Sequence, residues 1–273
     1  MPAPGLLAEI EAYYDAAPRA AARVEAMGPF VVFVPLGASW PYYARPALGA
    51  GGFTAADVRR VLDRQQQLGV PQAFEWVAET TPALRPAVER AGLAVAAYPL
   101  LVLQDEGPSP VPRPADIQLR LASPEDDLAL FGAVAQLAFA SGGTAPGPQG
   151  PAGPADLAPL AGRRAPAAVA FERERVRTGR TVMAVALAAG TPVGVGSHQP
   201  VGRISEVVGL GTLPAYRRRG IGGALTAMLA ADARGRGVET VFLSAGDSDV
   251  ARVYQRVGFR HAGTACAAAP PTA

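Results

Sequence analysis

Residues 105–116 read DEGPSPVPRPAD, with four prolines and no apolar periodicity. Proline fixes φ and removes a backbone donor, so this stretch enters neither a helix nor a sheet interior and reads as a stiff, extended linker. It divides 273 residues into two pieces, each long enough to bury a core of its own. We expect a first domain over residues 1–104, the linker at 105–116, a second domain over 117–268 and a disordered tail at 269–273.

In the first piece, residues 6–27 have helical spacing, 30–36 (FVVFVPL) a buried strand, and 54–68 a helix whose Thr54 and Asp57 approximate a capping box. Strand 73–77, helix 82–91 stopped by Gly92, and strand 94–103 follow. In the second piece we expect strand 117–121, helix 124–140, helix 167–178 and a hairpin of strands 181–187 and 192–197. Residues 141–166, packed with Gly, Pro and Ala, read either as compositional drift or as a loop covering a substrate. Strand 204–213, helix 220–234, strand 240–244, helix 249–257 and strand 261–268 complete an α/β chain.

The same element order occurs in both pieces. VERAGL at 88–93 aligns with YQRVGF at 254–259, an offset of 166 (259 minus 93). That points to an internal duplication, although any helix ended by glycine before a strand gives a similar pattern.

Charge and cysteine content narrow the function. With 25 basic and 23 acidic side chains the net charge is +2, against a nucleic-acid binder that works by neutralising phosphates. Cys266 is the only cysteine, so no intramolecular disulfide or thiolate metal site is possible, which suits a reducing cytoplasm. The longest apolar run, 95–103, is far short of the ~20 residues of a membrane helix, so neither insertion nor export is expected. Lysine is absent, which makes arginine the only strong cation, so each arginine needs a positional argument.

The positions that carry chemistry are at 213–223, LPAYRRRGIGG, between a strand and an amphipathic helix. The first turn of a helix leaves backbone N–H groups unpaired and partly positive, and glycines there let a pyrophosphate sit on the main chain. Arg217, Arg218 and Arg219 add attraction. No Lys-Ser/Thr pair follows the last glycine, so this is not a P-loop, and it lacks the dinucleotide G-x-G-x-x-G turn.

The segment resembles the acyl-coenzyme A loop, Arg/Gln-x-x-Gly-x-Gly/Ala, of the GNAT superfamily of N-acetyltransferases, with Arg217, Gly220 and Gly222 on the pattern. The strand SEVVGLGTLP upstream is similar to the splayed fourth strand of that family, and DSDVARVYQRVGF to its terminal Asn-x-x-Ala-x-x-Leu-Tyr-x-x-x-Gly-Phe segment. Glu206, 14 residues before Gly220 (220 minus 206), stands where histone-type members carry a general-base glutamate.

The resemblance implies two GNAT-like halves, each a mixed twisted sheet flanked by helices. It implies acetyl-CoA as cosubstrate, no metal, and transfer of the acyl group to a primary amine by direct attack. The acceptor would be a small-molecule or peptide amine, with no nucleic acid or membrane partner, and the chain could form a homodimer. Pantetheine would lie along Gly211, Thr212 and Leu213, with a main-chain N–H near Leu210 beside the thioester carbonyl. Arg217–Gly223, including Arg218, Arg219, Gly220, Ile221 and Gly222, would hold the pyrophosphate. Tyr254 would be the general acid, its unperturbed pKa near ~10 keeping it protonated at neutral pH.

Glu206 is equally readable as a general base or as a solvated or salt-bridged side chain. Two positions depart from the family pattern, Asp247 for asparagine and Val250 for alanine. His198 and His261 read as structural, 125–127 as a helix start, and Glu172 with Glu174 as a solvated helix face. The first half reads as a degenerate copy, since Tyr254 aligns with Val88 and 48–53 has glycines but no arginine. Its aromatic cluster, Trp40, Tyr42, Tyr43 and Trp76, suits either core packing or an acceptor pocket. The rival functions are a non-catalytic acyl-CoA-binding or ligand-sensing module and an oligomer scaffold.

Overall fold

The computed structural model describes residues 5–37, 42–140 and 153–271. Two compact units emerge, residues 1–100 with 262–273, and residues 101–261.

In the first unit, helix α1 (Leu6–Arg19) is followed by β1 (Ala22–Met27), β2 (Phe30–Pro35) and β3 (Arg45–Pro46). The single helix expected over 6–27 is therefore a helix and a strand. ARVEAM alternates apolar and polar, and pairing with β2 from Ala22↔Pro35 to Met27↔Phe30 makes that period of two decisive. Helix α2 (Ala55–Gln67), β4 (Phe74–Val77), α3 (Leu84–Arg90) and the start of β5 (Ala94–Leu103) complete the order. β1, β2 and β3 are antiparallel, while Ala44 beside β3 bridges Phe74 of β4 in parallel, so the strand arrangement is mixed. Phe30, Phe53, Phe74 and Trp76 fill the core, with Phe30 and Phe74 ring centroids 5.1 Å apart. The buried Glu11 carboxylate pins α1 to the end of β4, accepting from Val77 N at 2.6 Å and pairing with Arg45 at 3.3 Å.

The second unit contains β6 (Ile117–Leu121), α4 (Leu128–Ala140), α5 (Leu157–Ala161), α6 (Pro166–Arg177), β7 (Val182–Ala188), β8 (Thr191–Val201), β9 (Ile204–Thr212), α7 (Ile221–Gly235), β10 (Thr240–Ser244), α8 (Ser248–Val257) and the start of β11 (Phe259–Ala269). β6, β7, β8 and β9 are antiparallel neighbours and β10 runs parallel to β9. Gly194 and Gly196 of β8 face Ile221, Leu225 and Leu229 of α7, and Gly211 of β9, paired with Val195, faces Ala138 of α4. Because side chains alternate along a strand, α7 and α4 cover opposite faces of this mixed sheet.

Within the stretch expected as a loop, 157–161 is helical because Leu157 is buried in the core, while 141–152 lie outside the described residues. The helix start at 125–127 is a working cap: Asp127 Oδ1 accepts from Leu130 N at 3.0 Å, and Asp126 pairs with Arg120 at 2.7 Å. Glu172 and Glu174 of α6 pair with Arg164 and Arg177.

The units divide inside strands rather than at the linker. Leu101 and Leu103, the end of β5, are buried in the same core as Val241 and Leu243 of β10. The end of β11 closes the first unit, pairing antiparallel with β4 from Ala265↔Val77 to Ala268↔Phe74 and burying Cys266 beside Trp76. The expected limits 1–104 and 117–268 thus become 1–100 with 262–273, and 101–261, because a continuous apolar strand hides a change of core partway along. Of the expected tail 269–273, Ala269 ends β11, and 272–273 lie outside the described residues.

Candidate functional site

The site starts where β9 and β10 part. They pair only at Thr240↔Ile204, Val241↔Ser205 and Phe242↔Glu206, yet β9 continues to Thr212. On the other side β9 stays on β8 as far as Gly194↔Thr212, interrupted by a bulge in which Gly209 and Leu210 stand against Gly196. Gly209 takes φ +65, a conformation that costs a side-chain-bearing residue and suits glycine. A bulge leaves one residue off the ladder and turns its backbone groups aside. The result is a wedge with one strand edge open to an extended ligand. A cavity of about 850 Å³ occupies it, lined by residues 206–212. That is the size range of small-molecule and cofactor sites.

The same cavity reaches the N-terminus of α7, where residues 220–223 line it. Gly220 is the N-cap, at φ +80, and among the described residues no side chain caps the helix. Its first-turn N–H groups are therefore left to solvent or to an anion, with the helix dipole favouring negative charge. Space for that approach depends on small residues: a Cβ on Gly223 would lie 3.2 Å from Val111, and one on Gly220 3.1 Å from the Pro112 carbonyl oxygen. The helix direction is fixed by Ile221, Leu225 and Leu229, all in the core.

Helix α8 supplies the other wall. Its amphipathic spacing buries Ala251 and Val257, and Asp247 caps it, Oδ1 accepting from Val250 N at 2.7 Å. An aspartate thus does the capping work of the asparagine that the pattern prefers. Tyr254 projects into the cavity, its ring 6.4 Å from that of Phe259. Burial raises the phenol to about 12, so it stays protonated throughout the physiological range. Glu206 lines the cavity at the last β9–β10 pair, on the strand face opposite Ser205.

The cavity thus gathers Tyr254, Glu206, Leu210, Gly211, Thr212, Arg217, Arg218, Gly220, Ile221, Gly222 and Gly223 of the expected site. Leu213 and Arg219 are placed differently. Leu213 is fully buried in the core because β9 ends there and the chain turns inward. Arg219 is paired with Asp116 through two 2.8 Å bonds and lies 5.5 Å over the Tyr216 ring. Arg217 lines the cavity but donates inward, to Ala138 O at 2.7 Å and Thr212 O at 3.3 Å, and burial lowers its pKa. It braces the ends of α4 and β9.

Val111, Phe139 and Arg256 also line the cavity without having been expected there. Phe139 carried a signal, since it is off the stripe of Phe131, Val134 and Leu137 and is 63% exposed. Val111 carried none, being inside the proline-rich segment. That segment is held in place by Ser109 N donating to Val257 O at 2.8 Å and by the Arg219–Asp116 pair.

His198 is structural. Fully buried, it joins Ser205 Oγ at 2.9 Å to Asp232 at 3.0 Å, tying β9 to α7. His261 is exposed on β11. Of the first unit's aromatic cluster, Trp76 is in the core and Tyr42 packs 6.4 Å from Phe33, while Trp40 lies outside the described residues. Among the described residues no group of His, Cys, Asp and Glu could hold a metal, and no helix is long and apolar enough to cross a membrane.

Comparison with known proteins bears on the fold and the family. Residues 157–259 match the family model of the acetyltransferase (GNAT) family. A GCN5-related N-acetyltransferase from Kribbella flavida superposes with a TM-score of 0.71 at 22% identity, covering 99% of this chain and 98% of its own. One from Sphaerobacter thermophilus gives 0.55 at 18% identity, covering 88% and 80% respectively. A GCN5-related N-acetyltransferase-like protein from Streptococcus suis gives 0.56 at 10% identity, covering 96% and 97%. At these identities the superpositions establish the fold, and they extend over both units. A search of curated proteins finds no match. Residues 157–259, which hold the wedge, the α7 N-terminus and Tyr254, are a domain of the GNAT acetyltransferase family.

Proposed function

We propose that residues 101–261 transfer an acyl group, acetyl in the first instance, from coenzyme A to a primary amine. One observation carries this reading: a single cavity runs from the uncapped N-terminus of α7 to the bulged edge of β9, with Tyr254 and Glu206 both in its wall. A pyrophosphate fits the first, an extended pantetheine arm the second. Acetyl-CoA is the implied cosubstrate, and the residues present suit it, since Gly220, Gly222 and Gly223 leave the main chain open and residues 207–212 present a strand edge beyond the last β10 pair.

When bound, it supplies an activated acyl group as a thioester. The backbone at the Gly209–Leu210 bulge is suited to donate to the carbonyl oxygen, whose negative charge grows as the amine adds. Glu206 accepts a proton from the amine, directly or through water, because an ammonium has no lone pair with which to attack. Tyr254 donates its phenolic proton to the departing thiolate as the C–S bond breaks and the C–N bond is completed. A tyrosine hydroxyl in the same cavity wall as the open strand edge and Glu206 gives the site both a proton donor and a proton acceptor, which favours the enzyme over a module that only binds acyl-CoA.

The test is calorimetric titration of the purified chain with acetyl-CoA, followed by thiol release against a panel of amines. Micromolar binding with amine-dependent release supports the reading. Binding with no release from any amine leaves the sensing module, and no binding removes both.

A further inference from the structure

The bulge in β9 does more than open a strand edge, because it reverses which way the side chains of the strand face. Before it, Ser205 points to α7, its Oγ meeting His198, which in turn meets Asp232. Side chains alternate along a strand, so Ser205 and Val207 share the α7 face, and Glu206 and Val208 the α4 face. Beyond the bulge the parity is inverted. Gly211 faces α4, a Cβ there lying 2.7 Å from Ala138 Cβ, and Leu210 faces α7. On β8 no such change occurs, since Gly194, Gly196 and His198 all face α7. The extra residue is therefore on β9, where Gly209 and Leu210 together stand against Gly196.

An inserted residue has to be held, because a slip by one residue returns the strand to a regular ladder with every following side chain on the other face. The Leu210 side chain holds it. A Cβ on Gly196 would lie 2.5 Å from Leu210 Cδ2, 3.0 Å from its Cγ and 3.2 Å from Leu229 Cδ1. Leu210 thus fills the space that any other residue at 196 would need, packed against the core on the α7 side. In the slipped ladder residue 210 would face α4 and leave that slot beside Leu229 empty, so burial of Leu210 selects the bulged register. Gly196 is not at positive φ, so the slot, rather than the backbone conformation, is what calls for glycine there.

We propose that Gly196 is a positioning residue for acyl transfer: the slot it leaves locks Leu210, and with it the bulged backbone at Gly209–Leu210, in the register that aims a donor at the thioester carbonyl. This rests on the acyl-transfer reading above. Gly196 is buried in β8 and is not part of the cavity wall, so it acts only through Leu210.

The experiment is a double-mutant cycle on the full chain, with Gly196→Ala, Leu210→Ala and the two combined. Each variant is assayed for thiol release from acetyl-CoA with the most active amine of the panel, and titrated with coenzyme A, which lacks the carbonyl. Misplacing a group by about 1 Å can cost ~10² in rate, so Gly196→Ala should lower kcat at least about tenfold and change the Kd of coenzyme A less than about threefold. In the Leu210→Ala background the same substitution has no large side chain to displace, and should lower kcat less than about twofold further. If Gly196→Ala does not fold, recovery of folding in the double variant, read by circular dichroism, supports the lock, and a double variant that stays unfolded overturns it. Equal losses of kcat in both backgrounds, no loss in either, or a coenzyme A Kd that rises as much as kcat falls would also overturn the lock while leaving the acyl-transfer reading intact. No thiol release by the unaltered chain with any amine would overturn both.

Discussion

Helices α2 and α7 come at the same point in the element order of their units, each following a short or splayed strand and leading to the next one, yet they begin in opposite ways. At α2, Thr54 Oγ1 accepts from Asp57 N at 3.2 Å and Thr54 N donates to Asp57 Oδ2 at 3.1 Å, so the chain's own side chains satisfy the helix end. At α7 the cap is Gly220 and no side chain among the described residues does this. The contrast repeats one helix later, where Val88 of α3, which the sequence alignment pairs with Tyr254 of α8, is buried while Tyr254 lines the cavity. One unit has closed each position that the other keeps open, and an open helix start is useful only if something else fills it. The second unit thus gives up local stability at the positions where a ligand would repay it.

The largest effect should come from removing the phenol. Tyr254→Phe keeps the ring against Phe259 and deletes only the proton donor, so kcat should fall by ~10²–10⁴ with KM for acetyl-CoA within about threefold. Steady-state kinetics by thiol release checks this, and an unchanged kcat would make Tyr254 a packing residue like Val88. Next is the helix start. Gly220→Val places a side chain at φ +80 with its Cβ 3.1 Å from the Pro112 carbonyl oxygen, closing α7 by force as α2 is closed by design. Because a bound anion needs the bare main chain, the Kd for acetyl-CoA should rise at least about tenfold. Full affinity in a folded Gly220→Val protein would mean that the pyrophosphate lies elsewhere.

The reverse substitution should leave the ligand alone. Thr54→Ala removes the α2 cap and should cost about 1 kcal/mol of stability, without changing acetyl-CoA affinity. Thermal denaturation with a parallel titration separates the two, and a Tm unchanged within error would remove the claim that α2 depends on its own cap.

What could be read from the sequence follows the range of each interaction. Loop 217–223, Tyr254 and the α2 capping box are local patterns in which neighbouring residues determine the geometry, and they could be located before any coordinates. The roles of Arg217, Arg218 and Arg219 could not be told apart, because three identical side chains in a row differ only in where the backbone aims them. One meets Ala138 O, one takes φ +63, and one meets Asp116, 103 residues away. The change of core partway along β5 and β11 was hidden for the same reason, since an apolar strand looks alike whichever core it enters. Residues 22–27 read as helix until β2, a non-local partner, imposed a period of two.

The smallest expected effect is in the response to acid, and it again separates the units. His198 is held below its ordinary 6.5 by burial, against the opposing pull of Asp232, with Arg236 lowering it further. The unfolded chain therefore takes up this proton at a higher pH than the folded one. Its contribution is complete above about 6.5 and declines as pH falls through that value. In the first unit, the Arg64 hydrogen bond and Arg23 hold Glu25 to about 2, below its ordinary 4.5, so that contribution persists until pH falls below 4.5. Between pH 7 and 5, hydrogen exchange corrected for intrinsic rates should show protection lost first in β8 and β9, where His198 bonds Ser205, and retained in β1. His198→Gln should flatten the β8–β9 response by removing the titrating group. Equal loss in β1 and β9 over that range would show that the buried imidazole does not set the acid sensitivity of the unit that carries the site.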